Sequence, residues 1–367
     1  MVDMRISKLA RVLVRHSTRL RRGERVLILA DVGAASAACE VLREALGAGA
    51  LADVELRTQD LDYVLHAEGS DEQLGDVSPI RRLPFDTYPA FIQLHAPANT
   101  RHLNGVPPAR LACRAKAIGP LMQTMLERSA RGEMKWVGAA FPTAALAQEA
   151  GMSLAEYEEF FSAACRLDDD DPVAAWGRVR NEQERIVGRL QQATELHITA
   201  PDTDLRARVA GRKWVNCCGE YNLPDGEVFT TPLEDSVEGH IRFSFPGIFH
   251  GAEIEDIRLV FRKGRVVEAT AARGADLLQA LLDTDEGARR VGELAVGTNH
   301  GIKKFTRNML FDEKIGGTIH LAVGAAPPHS GGVNRSAIHW DMLCDMRSGG
   351  RILADGAPIY EAGRFLF

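Results

Sequence analysis

Arg25-Val-Leu-Ile-Leu-Ala30 is a nearly unbroken apolar run, the pattern of a short strand buried on both faces. Ala35 to Leu46 follows with helix formers, Gly47 and Gly49 close it off, and Ala52-Asp-Val-Glu-Leu56 resumes an extended pattern. Strand, helix and strand at this spacing make a βαβ unit, so the first half reads as a Rossmann-like α/β layer structure. The nucleotide fingerprint is missing. Only Gly33 follows the first strand, with neither GxGxxG nor GxxxxGK[ST] to cradle a phosphate.

Outward from that unit, Met1 to Arg22 is Arg-rich and poor in acid, superficially like a transit peptide. Ile6, Leu9, Val12 and Leu13 fall on one face, and the segment runs directly into folded pattern, so it reads as a surface helix. Lys135 to Ala139 predicts a strand, and Ser153-Leu-Ala-Glu156 has capping-box spacing. Asp168 to Asp171 could suggest a cation loop, but Pro172 at a first helical position makes these acids the start of a helix reaching about Gln192. Beyond it the texture changes. Leu196, Ile198 and Ala200 alternate with polar neighbours, as do Leu205, Ala207 and Val209. Ile257–Phe261, Lys263-Gly264 and Val266–Ala269 spell a hairpin, and one helix is expected around Gly274 to Leu282. The expectation is an α/β domain over 1–194 and a β-rich α+β domain over 195–367.

The chain has 367 residues, 45% hydrophobic and 26% charged, enough apolar matter for two cores and too little for a polytopic membrane protein. Formal charge is −6 and aromatics are 6%, so neither a basic surface nor a stacking platform points to nucleic acid. The six cysteines include no CxxC pair, which reads as reduced thiols in a cytoplasmic protein rather than a zinc knot or a disulfide scaffold. No apolar run reaches the ~18 residues of a membrane helix.

The chemistry-bearing residues crowd into the second half. In Ser336-Ala-Ile-His-Trp-Asp-Met342, read as a strand, His339 and Asp341 share a side and Trp340 turns away. His320 sits in the apolar strand Thr318-Ile-His-Leu-Ala-Val-Gly324. Glu227 lies between Gly226 and Val228-Phe229, and Glu293 within Val291-Gly-Glu-Leu-Ala-Val296. A buried imidazole needs partners for its nitrogens, and a buried carboxylate needs a cation. Any one of these could be a satisfied core residue. Two histidines and three acids together fit a metal centre better. Three carboxylates, two divalent cations and a bridging hydroxide would be neutral. Oxygen and imidazole donors without thiolate suit Zn, Co, Mn or Fe(II), for hydrolysis or for oxygen chemistry.

Four segments carry a resemblance: Asn222-Leu-Pro-Asp-Gly-Glu-Val-Phe-Thr-Thr-Pro-Leu-Glu-Asp-Ser-Val-Glu-Gly239, Gly292-Glu-Leu-Ala-Val-Gly-Thr-Asn299, Phe311-Asp-Glu-Lys-Ile-Gly-Gly-Thr-Ile-His-Leu-Ala-Val-Gly324 and Gly331-Gly-Val-Asn-Arg-Ser-Ala-Ile-His-Trp-Asp341. With Ala147-Gln-Glu-Ala-Gly-Met-Ser153, they make the chain resemble the M29 metallopeptidases, the aminopeptidase T and S type, along nearly its whole length. The resemblance implies an α/β first domain and a β-rich second one with two divalent ions. It also implies a homodimer, and release of N-terminal residues from peptides by a metal-bound hydroxide with Zn or Co, sometimes Mg. It carries the metal role onto Glu227, Glu293, His320, His339 and Asp341. Glu234 and Glu313, close to these in sequence, are the candidates for the proton shuttle, and Asp312 for orienting the histidines. The family commonly has Tyr-Pro-x-x-Gly-Gly where this chain has Pro327-Pro328-His329-Ser330-Gly331-Gly332. Pro327 supplies no phenol to act as an oxyanion donor, His329 and Arg335 are the nearby substitutes, and this keeps a non-peptide amidohydrolase open. Pyridinediol dioxygenases of similar outline hold one Fe(II) and lack the equivalents of both Glu227 and Glu293, which this chain retains.

Overall fold

The structure, a computed structural model, describes residues 3–249 and 251–367. Five parallel strands form one sheet in the order Leu51–Arg57, Arg25–Asp31, Ala90–His95, Lys135–Ala140 and Asn222–Leu223. The apolar run Arg25–Ala30 is the second strand in this order, with Val26 to Ala30 all buried. The amino-terminal helix spans Met4–Arg11 and continues as a wider-turned Val12–Ser17, burying Leu9, Val12 and Leu13; Met1 and Val2 lie outside the described residues. Ser153 and Glu156 form the expected reciprocal cap, and Asp171 accepts the N–H groups of Val173 and Ala174 at the start of Pro172–Leu190.

The chain divides into two compact units, Met1–Gly177 with Gly219–Pro224, and Arg178–Cys218 with Asp225–Phe367. This is more interleaved than a single cut at 194. The later turns of the helix Pro172–Leu190 bury Ile186 and Leu190 in the core of the second unit. The segment Gly219–Pro224 instead supplies the short strand that extends the parallel sheet. Neither exchange has a signature in hydropathy.

In the second unit an eight-stranded antiparallel sheet runs in the order Arg265–Thr270, Arg258–Arg262, Glu238–Arg242, Thr203–Arg208, Glu195–Ala200, Arg351–Ala354, Ala357–Glu361 and Arg364–Phe365. A five-stranded antiparallel sheet runs His339–Asp345, Thr318–Gly324, Val291–Gly297, Glu227–Thr230 and Val215–Cys217. One continuous apolar core joins them. It takes Leu196, Ile198 and Leu205 from the first sheet, and Val228, Leu294, Val296, Ile319, Leu321, Val323, Trp340 and Met342 from the second. Because side chains alternate along a strand, this assignment settles what the other face of the five-stranded sheet must carry.

Candidate metal centre

That other face carries Glu227, Glu293, His320, His339 and Asp341. Register brings them together. Glu293 pairs with Ala322, which pairs with Asp341, so two carboxylates flank a methyl group across three strands. His320 pairs with Ala295, and Ala295 with Phe229, two residues along from Glu227. The small side chains of Ala295 and Ala322 leave space above the sheet for the longer polar ones. His320 Nε2 lies 3.1 Å from Glu227 Oε2 and 3.3 Å from Glu293 Oε1. His339 Nε2 lies 3.7 Å from Glu293 Oε2 and 3.5 Å from Asp341 Oδ2. Glu293 therefore touches both histidines. Trp340 turns into the core, as the alternation requires, and donates its indole N–H to the Ile248 carbonyl at 3.0 Å.

Glu293 reaches this face by a device the alternation alone does not supply. Val291 faces the core opposite Val323, and residues two apart should share a face, yet Glu293 pairs with Ala322 on the opposite side. The register shifts between Val291 and Glu293, a β-bulge at Gly292 that re-aims the carboxylate. A Cβ at Gly292 would stand 2.3 Å from the Ala325 carbonyl oxygen. The same oxygen accepts the Nδ1–H of His339 at 2.7 Å, so one carbonyl limits the bulge and orients a histidine.

Two residues outside the sequence-based set complete the site. Lys314 is fully buried; its ammonium lies 3.5 Å from Glu227 Oε1 and pairs with Glu313. Gln183, also buried, donates to the Cys217 and Glu227 carbonyls at 2.9 Å each and accepts from Thr298 Oγ1 at 2.8 Å. It fixes the backbone beneath Glu227. Lys314 follows Asp312 and Glu313, and a charged run of this kind reads in sequence as solvated surface. Gln183, on a helix far away in sequence, had no signal.

The electrostatics follow from burial and pairing. Burial pushes the Glu227 carboxyl up, but Lys314 and His320 more than offset this and hold it at about 2. Glu293 is raised, first by burial and then by the neighbouring charges of Asp341 and Glu227. His320 loses charge preference to burial but gains more from Glu227 and Glu293, reaching about 10. Asp341 Oδ1 is buried with no hydrogen-bond partner among the described residues, and buried Glu227 Oε2 meets the His320 ring without an aligned hydrogen bond. Glu227, Glu293 and His320 can direct donor atoms to one point, as can Glu313, His320 and Asp341. An orphaned oxygen, carboxylates crowded against one another and imidazole nitrogens fit divalent cations.

The remaining expectations resolve differently. Glu313 stands at the edge of the group, beside Lys314, His320 and Asp341. Glu234 joins none of the ligand groups found among the described residues. Arg212 and the Val333 N–H, 2.9 Å away, hold it, and although burial raises its pKa these contacts bring it below the ordinary range. Asp312 does not orient a histidine. Its Oδ1 accepts the N–H and hydroxyl of Thr306 at 2.7 and 2.9 Å, while His320 Nδ1 has no partner among the described residues. Pro327 leads into a single turn, Pro328–Ser330, anchored by the Ser330 hydroxyl on Thr231.

A family model described as thermophilic metalloprotease (M29) matches residues 2–365. Aminopeptidase 2 of Geobacillus stearothermophilus is 28% identical, over 100% of this chain and 98% of its own. Among solved structures, wild-type AmpT from Thermus thermophilus superposes with a TM-score of 0.86 at 26% identity, covering 99% of both chains. A 2,5-dihydroxypyridine dioxygenase from Pseudomonas putida KT2440 shares the fold at a TM-score of 0.60 and 13% identity, over 99% of this chain and 96% of the other.

Proposed function

The chain belongs to the M29 family of metallopeptidases, and from that membership we propose that it is an aminopeptidase whose second unit holds two divalent ions, Zn or Co in the first instance, with Mn, Mg or Fe as alternatives. The observation that carries the reading is the convergence of Glu227, Glu293, His320, His339 and Asp341 on one face of one sheet. These five would hold the ions, and Glu293 stands in reach of both histidines. Bound there, divalent ions would polarise the scissile carbonyl and make water a competent nucleophile near neutral pH.

The protein's own groups do the rest. His339 keeps Nδ1–H on the Ala325 carbonyl, so Nε2 stays directed at the cluster. Glu313, part-exposed at the edge beside His320 and Asp341, would take a proton from the attacking water and pass it to the leaving amine. The surplus of carboxylates favours a substrate with a free α-ammonium, which confines cleavage to the chain end. We read the protein as a cytoplasmic homodimer, in keeping with a cysteine set that contains no CxxC pair and with the family. The retained Glu227 and Glu293 speak against a one-iron dioxygenase on this fold.

One preparation tests this. Metal analysis is expected to find about two divalent ions per chain, and Glu227→Gln to lower that number. Leucine p-nitroanilide and a free-amine dipeptide should be hydrolysed, and the N-acetylated dipeptide spared. Equal turnover of the acetylated peptide, or occupancy unchanged in Glu227→Gln, would overturn the proposal.

A further inference from the structure

Lys314 has no exposed surface, yet a lysine is a poor choice for a cation-binding face, because its ammonium repels the ions the face would gather. Its chain position is clamped. The Lys314 N–H donates to the Phe311 carbonyl at 3.1 Å, and the Lys314 carbonyl accepts from the Asn299 N–H at 3.0 Å. Asn299 Nδ2 in turn donates to the Asp225 carbonyl at 2.8 Å, and the Thr298 N–H to that of Gly226 at the same distance, which ties Lys314 to the backbone leading into Glu227. The ammonium then meets one oxygen of Glu227, Oε1, at 3.5 Å, while the other, Oε2, faces His320 Nε2 at 3.1 Å.

We infer that Lys314 is a positioning residue that holds Glu227 with Oε1 on its ammonium, leaving Oε2 alone to serve the ion beside His320. The inference rests on the two-ion reading above. It accounts for the burial of an ammonium in a site that would otherwise exclude one. It also accounts for the charge. Lys314 offsets one of the negative charges that Asp225, Glu227 and Glu313 gather on its side of the group.

The consequence is asymmetric. Stepwise Co(II) titration of the apoprotein, followed by the visible absorption of the bound ion, should show Lys314→Met weakening one ion by tenfold or more and leaving the other within twofold of wild type. Glu227→Gln and the double variant Glu227→Gln/Lys314→Met should bind alike, since Lys314 acts only through Glu227. Phe311→Leu, a buried change in the same segment, serves as the stability control and should leave both affinities in place. Unchanged binding in Lys314→Met, equal weakening of both ions, or losses that add in the double variant would overturn the inference. If Lys314→Met does not fold, Lys314→Gln keeps a donor for Glu227 without the charge, and its loss should be smaller and confined to the same ion. A wild type that takes up a single ion refutes the two-ion reading, and the cycle on that ion still decides the role of Lys314.

Discussion

Gly292→Ala should disable the proposed metal centre from a position outside the proposed ligand set. The added Cβ would lie 2.3 Å from the Ala325 oxygen and 2.6 Å from the Gly324 oxygen. Ordinary contacts begin at 3.4 Å, so the first overlap is about 1.1 Å and both obstacles are backbone. Relief requires either the bulge to unwind, which turns Glu293 toward the core, or the 324–325 segment to retreat, which withdraws the carbonyl holding His339. Overpacking of this kind costs about 1–3 kcal/mol. The greater effect is on function, since a displacement of about 1 Å at catalytic groups lowers turnover on the order of 100-fold. The assay pairs urea unfolding with leucine p-nitroanilide turnover and Co(II) titration. Gly188→Ala, in the helix Pro172–Leu190 with nothing within 4 Å of its added Cβ, is the control, expected to be neutral or stabilising. Gly292→Ala with affinity and turnover within twofold of wild type would refute the assignment of Glu293 to the centre through this bulge.

Two further outcomes follow from residues beside the site. Burial raises the Asp312 carboxyl from 3.8 to about 7, against the opposing hydrogen bonds from Thr306. Between those values the folded chain holds a proton that the unfolded chain has released, so this group's contribution to stability is full below about pH 4 and is lost as pH rises through 7. The stability of Asp312→Asn relative to wild type should thus rise by a few kcal/mol between pH 4 and 8 in urea unfolding; parallel curves would contradict it. Trp340→Phe loses the hydrogen bond to the Ile248 carbonyl and should cost about 1 kcal/mol, with turnover nearly intact because the ring lies on the core side of its strand.

The period-two pattern made much of this site legible. His339 and Asp341 on one side with Trp340 on the other is a property of any strand, and the structure keeps it. The apolar settings of His320, Glu227 and Glu293 marked residues whose burial would need a partner, without saying which. Glu293 was found for an incomplete reason. Counted from Val291 it belongs in the core, and only the extra residue at Gly292 puts it on the polar face. A lone glycine inside a strand is a recognised sign of a bulge, so the sequence carries this information at Gly292. The expected roles of Asp312 and Glu234 relied on nearness along the chain, which says little about where a side chain on a turn will point. Thr306 and Arg212 claim them instead.

What separates the legible from the illegible here is the range of the interaction that decides it. Alternation, caps and the Asp171 helix start are settled within a few residues, and the sequence suffices for them. The two exchanges of chain between units, and the grip of Gln183 on the Glu227 carbonyl, are settled by packing between segments dozens of residues apart. A metal centre depends on both kinds of information. Its ligands stand out locally because burying charge is costly, and their convergence follows because a sheet with one face committed to a sandwich core has a single face left for every polar side chain out of step with it.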